Sequence, residues 1–247
     1  MKLELTAVGD ALRYLEANAQ ALGIDDEDQV APDPVELFSQ FVDKGFADRG
    51  DDGRSAPRLV IESSHFDPAA LKQTWLLDVV ELDAGFWRVL SNLLFARGVG
   101  SLSTRVVEAG TGATPTSFGL AEAPFPQTLP PREVHLDYTP PDEDDIVRSR
   151  TLHLELAAQP EQTLVTRICD DLNVWIEVVC RSGFCPEDEE PENAGAIPAF
   201  AYALDPQTIA VEFEGAFRVD EACFASIASY VWRLHSEGVR AASIEVA

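Results

Sequence analysis

Two widely separated stretches of the chain follow one plan, and that plan limits the folds open to it. In the first, Trp75-Leu76-Leu77-Asp78-Val79-Val80-Glu81-Leu82 reads as a strand, and its near-continuous apolarity predicts burial on both faces. Asp83 stands where its carboxylate can accept the free N–H groups of a first helical turn. Phe86, Val89, Leu90, Leu93 and Leu94 then recur at three- and four-residue spacing, one wide apolar helix face. Gly98 and Gly100 stop the helix, and Leu102 to Val107 returns as a strand. The second stretch alternates Ile209, Val211, Phe213, Gly215 and Phe217 with Ala210, Glu212, Glu214, Ala216 and Arg218. Asp220 is its cap, Phe224, Ile227, Ala228, Val231 and Leu234 its helix face, Gly238 its stop, and Val239 to Val246 its closing strand. Such a unit buries its apolar surface only by packing helices on sheet. Few identities link the copies, so degenerate duplication of a β-α-β unit and independent recurrence both stay open.

Upstream of the first unit the spacing predicts a helical N-terminal segment. Leu12, Leu15, Ala19 and Leu22 mark a helix over 7–22 that ends at Gly23. Pro32 and Pro34 open a second over about 34–46, with Leu37, Phe38, Phe41 and Val42 as its buried stripe. Between the two units, Leu152, Leu154 and Leu156 alternate with Thr151, His153 and Glu155 as a half-buried strand. Leu164 to Cys169 and Val174 to Cys180 read as two further strands, turned at Asp170-Asp171-Leu172-Asn173. Connections this short require antiparallel neighbours. The expected fold is therefore α+β, with mixed but largely antiparallel sheets packed by amphipathic helices.

Residues 110–132 carry Pro124, Pro126, Pro130 and Pro131 among Gly, Ser and Thr, the composition of a connector. The expected organisation is an N-terminal α/β lobe over 1–110, a Pro/Gly-rich connector over 111–131 and a C-terminal α+β lobe over 132–247. Residues 185–198 read as an acidic loop.

Function is less legible, and the strongest clue is charge. Eighteen Lys and Arg against 43 Asp and Glu leave a formal −25. A surface of that sign argues against nucleic acid, whose phosphates need cations. No apolar run approaches the roughly 20 residues that span a bilayer, and acidic residues interrupt the N-terminus where a signal-peptide core would lie. Together with only four cysteines, this sets the expectation of a cytoplasmic chain that engages neither membrane nor nucleic acid. Gly98-Val99-Gly100 and Gly110-Thr111-Gly112 lack the phosphate-loop and dinucleotide patterns, so no cofactor is expected. Cys180 and Cys185 form one close pair without a second, and the acidic runs lack calcium-loop spacing, so no metal is expected either.

Two functional readings follow. In the first, the chain is a non-enzymatic adaptor, inhibitor or immunity-type protein whose negative field steers it to a basic protein surface. Its partner-binding candidates are the runs Asp142, Glu143, Asp144, Asp145 and Glu187, Asp188, Glu189, Glu190, with Trp175 as an exposed aromatic anchor. In the second, a small molecule is turned over in a cleft between the lobes by a His/carboxylate pair. His153 beside Glu155 is one candidate and His65 another, because a carboxylate orients an imidazole and raises its basicity. Monomer and homodimer are equally compatible with the sequence.

Overall fold

A computed structural model of the chain describes residues 1–24, 30–48, 56–80, 82, 84–108, 136–138, 149–185, 200–214 and 221–246. In chain order the elements are β1 (Lys2–Val8), α1 (Glu16–Leu22), α2 (Pro34–Asp43), β2 (Arg58–Asp67), β3 (Lys72–Val80), α3 (Ala84–Phe95) and β4 (Ser101–Glu108). There follow β5 (Leu136–Tyr138), β6 (Ser149–Leu156), α4 (Gln162–Cys180), β7 (Phe200–Ala203), β8 (Thr208–Glu214), α5 (Glu221–Ser236) and β9 (Ala241–Val246). They form a four-stranded sheet in the order β2-β3-β1-β4 and a five-stranded sheet in the order β5-β9-β6-β8-β7.

The repeat is larger than a β-α-β unit. With α1 and β5 set aside, each half runs strand, helix, strand, strand, helix, strand, and its first strand lies between its third and fourth. Neighbours within each set of four are antiparallel, the split βαβ arrangement of ferredoxin-like topology. The additional strand β5 runs parallel to β9 at the sheet edge, which makes the second sheet mixed. Corresponding positions behave alike. Leu3, Leu5 and Ala7 of β1 point to the core as Leu152, Leu154 and Leu156 of β6 do, all buried. The two unit helices also stop alike. Gly98 and Gly238 take positive φ, and the next residues close the last turns through Val99 N–H to Leu94 C=O and Val239 N–H to Leu234 C=O. That is the glycine-dependent termination the sequence places at both sites.

Three expectations are corrected. The N-terminus begins with a strand, not a helix: Leu3, Leu5 and Ala7 are buried while Lys2, Glu4 and Thr6 are partly open, a period of two. Only a short 3-10 turn over Asp10–Tyr14 and α1 remain of the helix expected over 7–22. Leu164–Cys180 is not a hairpin but the greater part of one 19-residue helix, α4. Val165, Ile168, Leu172, Trp175, Ile176 and Val179 form its buried stripe, and Asp170 to Asn173 continue the helix where a turn was expected. Finally, β3 buries Trp75, Leu77 and Val79 but leaves the intervening residues partly open, so only one face is core. The Asp83 and Asp220 caps lie outside the described residues.

Both sheets turn their apolar faces to helices, and the helices of the two halves meet. Buried residues from β1, α2, β3 and α3 join those of β6, α4, β8 and α5 in one continuous apolar cluster. Phe41 stacks with Phe38 and Phe46 and meets Phe86 and, across the seam, Phe184, with centroids 5.9 Å apart. Phe46 stacks on Tyr230 of α5 at 4.6 Å. The Asn92 amide donates to the carbonyls of Gly183 and Cys185 at 3.2 and 3.3 Å, joining α3 to the turn after α4. The seam is built as an interior.

Candidate protein-docking face

The outer faces of the two sheets point away from this core, and they are chemically unlike. On the first sheet, charges are closed on one another across the strands. Lys2 pairs with Glu62 at 2.9 Å, Arg58 with Asp78 at 2.8 Å and Arg105 with Glu4 at 2.8 Å, and the N-terminal amine lies 3.7 Å from Asp78. Lys2, Arg58 and Arg105 are thus closed on carboxylates, while Lys72 at the start of β3 stays exposed.

The second sheet presents aromatic rings and carboxylates instead. Register places Phe200 of β7 and Thr151 of β6 on either side of Glu212, and Tyr202 and His153 on either side of Ala210. Glu155 follows one row on, opposite Thr208. Because strand side chains alternate, Phe200, Tyr202 and Glu212 share the outer face with His153 and Glu155. Phe200 is 61% exposed and Leu204, just past the end of β7, is 53% exposed. The rings of Phe200 and Tyr202 sit 5.5 Å apart, tilted by 44°. The Tyr202 hydroxyl donates to Glu212 Oε1, and this bond, with burial and the carboxylate charge, pushes the phenol above its ordinary range. Among the described residues Glu212 thus meets a phenol where Glu4, Glu62 and Asp78 of the first sheet meet cations.

The edge beside this face is held shut locally. Leu204 N–H donates to Thr208, so Phe200, Tyr202 and Leu204 direct their main chain toward β8 and Ala201 directs its own outward. The outward Ala201 N–H is taken by Asn173 Oδ1 of α4 at 3.0 Å. With a strand of four residues and a capped donor, the accessible feature is the face rather than the edge.

The sequence candidates fall as follows. Trp175 is not an exposed anchor. It is fully buried on α4, and its Nε1–H donates to Ser226 Oγ at 2.9 Å and to the Cys223 carbonyl at 3.3 Å. A strand period over these residues puts Trp175 on an outward face, whereas the helical period of α4 turns it inward. His153 and Glu155 lie together on the outer face of the second sheet, His153 half-buried and Glu155 exposed. His65 is exposed on β2 of the other sheet, opposite Thr74, so it does not join them. Asp142 to Asp145 and Glu187 to Glu190 lie outside the described residues. Phe200 and Tyr202 were missed, although Phe200-Ala201-Tyr202-Ala203-Leu204 alternates large and small side chains as a strand with one populated face.

A pocket of about 150 Å³ does lie between the halves, at the end of α2 beside α4 and α5. Its chemistry is ionic: Lys44 meets Asp171 at 2.6 Å, Arg167 meets Glu237 at 2.8 Å, and Arg233 meets Glu237 at 3.2 Å. Tyr230 donates to Asp171 at 3.0 Å, and burial, helped by that carboxylate, holds its phenol far above the ordinary range. Burial pushes Asp48 upward against the pull of Arg233, 3.6 Å away. Among the described residues no histidine lines this pocket. Among the described residues no three His, Cys, Asp or Glu side chains gather around a common metal position, and no helix is long and apolar enough to cross a membrane. Compared with known proteins, the chain matches no family model and no curated protein.

Proposed function

We propose that this chain is a non-enzymatic protein-binding protein, an adaptor, inhibitor or immunity-type protein, that recognises a basic protein surface through the outer face of its second sheet. The observation that carries the reading is the contrast between the two outer faces. One closes Lys2, Arg58 and Arg105 in cross-strand pairs; the other holds the exposed Phe200 ring against a half-buried Tyr202 beside Glu212. Exposed aromatics that lose water on contact supply binding energy, while rim carboxylates supply steering and register. The formal −25 extends the attraction beyond the face and raises the encounter rate with a cation-rich partner.

The test begins with retention of host proteins on the tagged chain at low salt, with the Phe200→Ala, Glu212→Lys double variant as the control bait. A retained basic protein is then purified and its association rate measured against ionic strength. The reading predicts an association rate that falls steeply with salt for the original chain and is lower at every salt for the double variant. Retention that is indifferent to both salt and the double substitution would overturn it. A metabolite held in the ionic pocket, with turnover lost on Tyr230→Phe, would favour an enzymatic role instead.

A further inference from the structure

We infer that the Phe200–Tyr202–Glu212 cluster is an anchor for one arginine side chain of the partner, an inference that rests on the docking face proposed above. The geometry specifies more than positive charge. Two rings stand with centroids 5.5 Å apart, Phe200 61% exposed with an open π-face and Tyr202 half-buried beside it. An electron-rich ring face attracts a cation, and a planar guanidinium can lie flat on it while its edge N–H groups still donate. Beside the rings, Glu212 uses Oε1 to accept from Tyr202. Its other oxygen, Oε2, is the acceptor such an edge would reach. That bond would be charge-assisted and stronger than a neutral one.

Lysine fits less well. An ammonium is a compact, strongly hydrated point charge, and it must give up more water to sit on a ring. Ring, carboxylate and phenol together therefore discriminate between two side chains of equal charge. The hydrogen bond from Tyr202 also fixes the Glu212 carboxylate, so little side-chain freedom remains to be lost when the arginine arrives. The neighbouring positions fit one anchor rather than a row of them. Ala210 lies on the next row between Tyr202 and His153, and Thr208 and Glu155 follow it.

The probe is a capped peptide alternating arginine with threonine, compared with the same peptide carrying lysine and with one carrying citrulline, which is planar but uncharged. Affinities are read by fluorescence anisotropy at low salt. Stacking is read separately, by upfield ring-current shifts of the peptide's arginine Hδ protons. The arginine peptide is expected to bind about 3- to 5-fold more tightly than the lysine peptide, the span of an exposed cation–π contact. That preference and the ring-current shift should both vanish in Phe200→Ala, and Glu212→Gln should weaken arginine binding while leaving part of the shift. Both positions are exposed, so both variants should fold, which circular dichroism checks directly. Equal binding of arginine and lysine peptides, unchanged by Phe200→Ala, would overturn the anchor and leave the broader docking face standing. Binding of neither peptide would also overturn the anchor, while the broader reading is judged by the salt dependence of a retained basic protein.

Discussion

Phe41→Ala is the perturbation that tests whether the two halves fold as one. The Phe41 ring is fully buried at the end of α2, with Phe38, Phe46 and Phe86 around it and Phe184 meeting it from the other half. Removing such a ring loses its transfer free energy and leaves a cavity, about 3–5 kcal/mol for Phe→Ala in a core. Four ring neighbours that themselves pack against helices from both halves restrict collapse into the space, which places the cost in the upper part of that range. At about 2–4 °C per kcal/mol for a chain of this length, the melting temperature should fall by about 8–20 °C. The discriminating assay is native-state amide hydrogen exchange at the most protected amides of β1 and β6. If the seam is an interior, protection in both strands falls together, by about three to four powers of ten. Loss confined to β1, with β6 unchanged, would refute a shared core and leave two independently stable units.

Other consequences are more local. Asp33 caps α2 through Val35 N–H at 2.8 Å and accepts the Trp75 indole N–H at 2.8 Å. Asp33→Ala should therefore cost about 2–4 kcal/mol in urea denaturation, from the lost cap and an orphaned buried donor, and Asp33→Asn should recover only part of this, because the two N–H groups use different oxygens and the amide NH2 would face one of them. Burial pushes Glu237 upward, but the hydrogen bonds and charges of Arg167 and Arg233 reverse this and leave its carboxyl below the ordinary range. A carboxylate depressed by folding stabilises above its unfolded value and loses that contribution as pH falls through its folded value. Stability measured downward from pH 5 should thus fall less for Glu237→Gln than for the original chain, and equal slopes would exclude the pair's contribution. A Cβ on Gly183 would lie 2.6 Å from Val178 Cγ1 and 2.8 Å from the Val178 carbonyl oxygen. Since that oxygen belongs to the helix end, Gly183→Ala should destabilise by about 1–3 kcal/mol, read as a lower urea midpoint.

The legible portions of the fold were those whose local pattern had one solution. The strand–helix–glycine–strand units around α3 and α5 were readable because cap position, periodicity and stop agreed, and Gly98 and Gly238 do adopt positive φ. Residues 164–180 mislead because Val, Ile and Thr in short runs satisfy a strand pattern as well as a helical stripe. The stripe emerges only when Asp170 to Asn173 are allowed to continue it, with Asp171 turned inward to meet Lys44 and Tyr230. That is a tertiary fact with no local signature. β1 was overlooked because seven residues of alternation at a terminus carry little weight until two partner strands are known. The candidate face was half visible: the polar row of β6 was legible, but its coincidence with Phe200, Tyr202 and Glu212 depends on the pairing β6-β8-β7, which spacing along the chain does not encode.

Hydroxyl-radical footprinting of the chain, alone and with a retained basic partner, tests the docking face most directly, because it reports side chains one by one. Oxidation of Phe200, Tyr202 and Leu204 should drop sharply in the complex, while that of the exposed Val60 and Val107 on the first sheet stays constant. Undiminished oxidation at Phe200 and Tyr202, with protection at Val60 and Val107, would contradict the assignment of recognition to the second sheet.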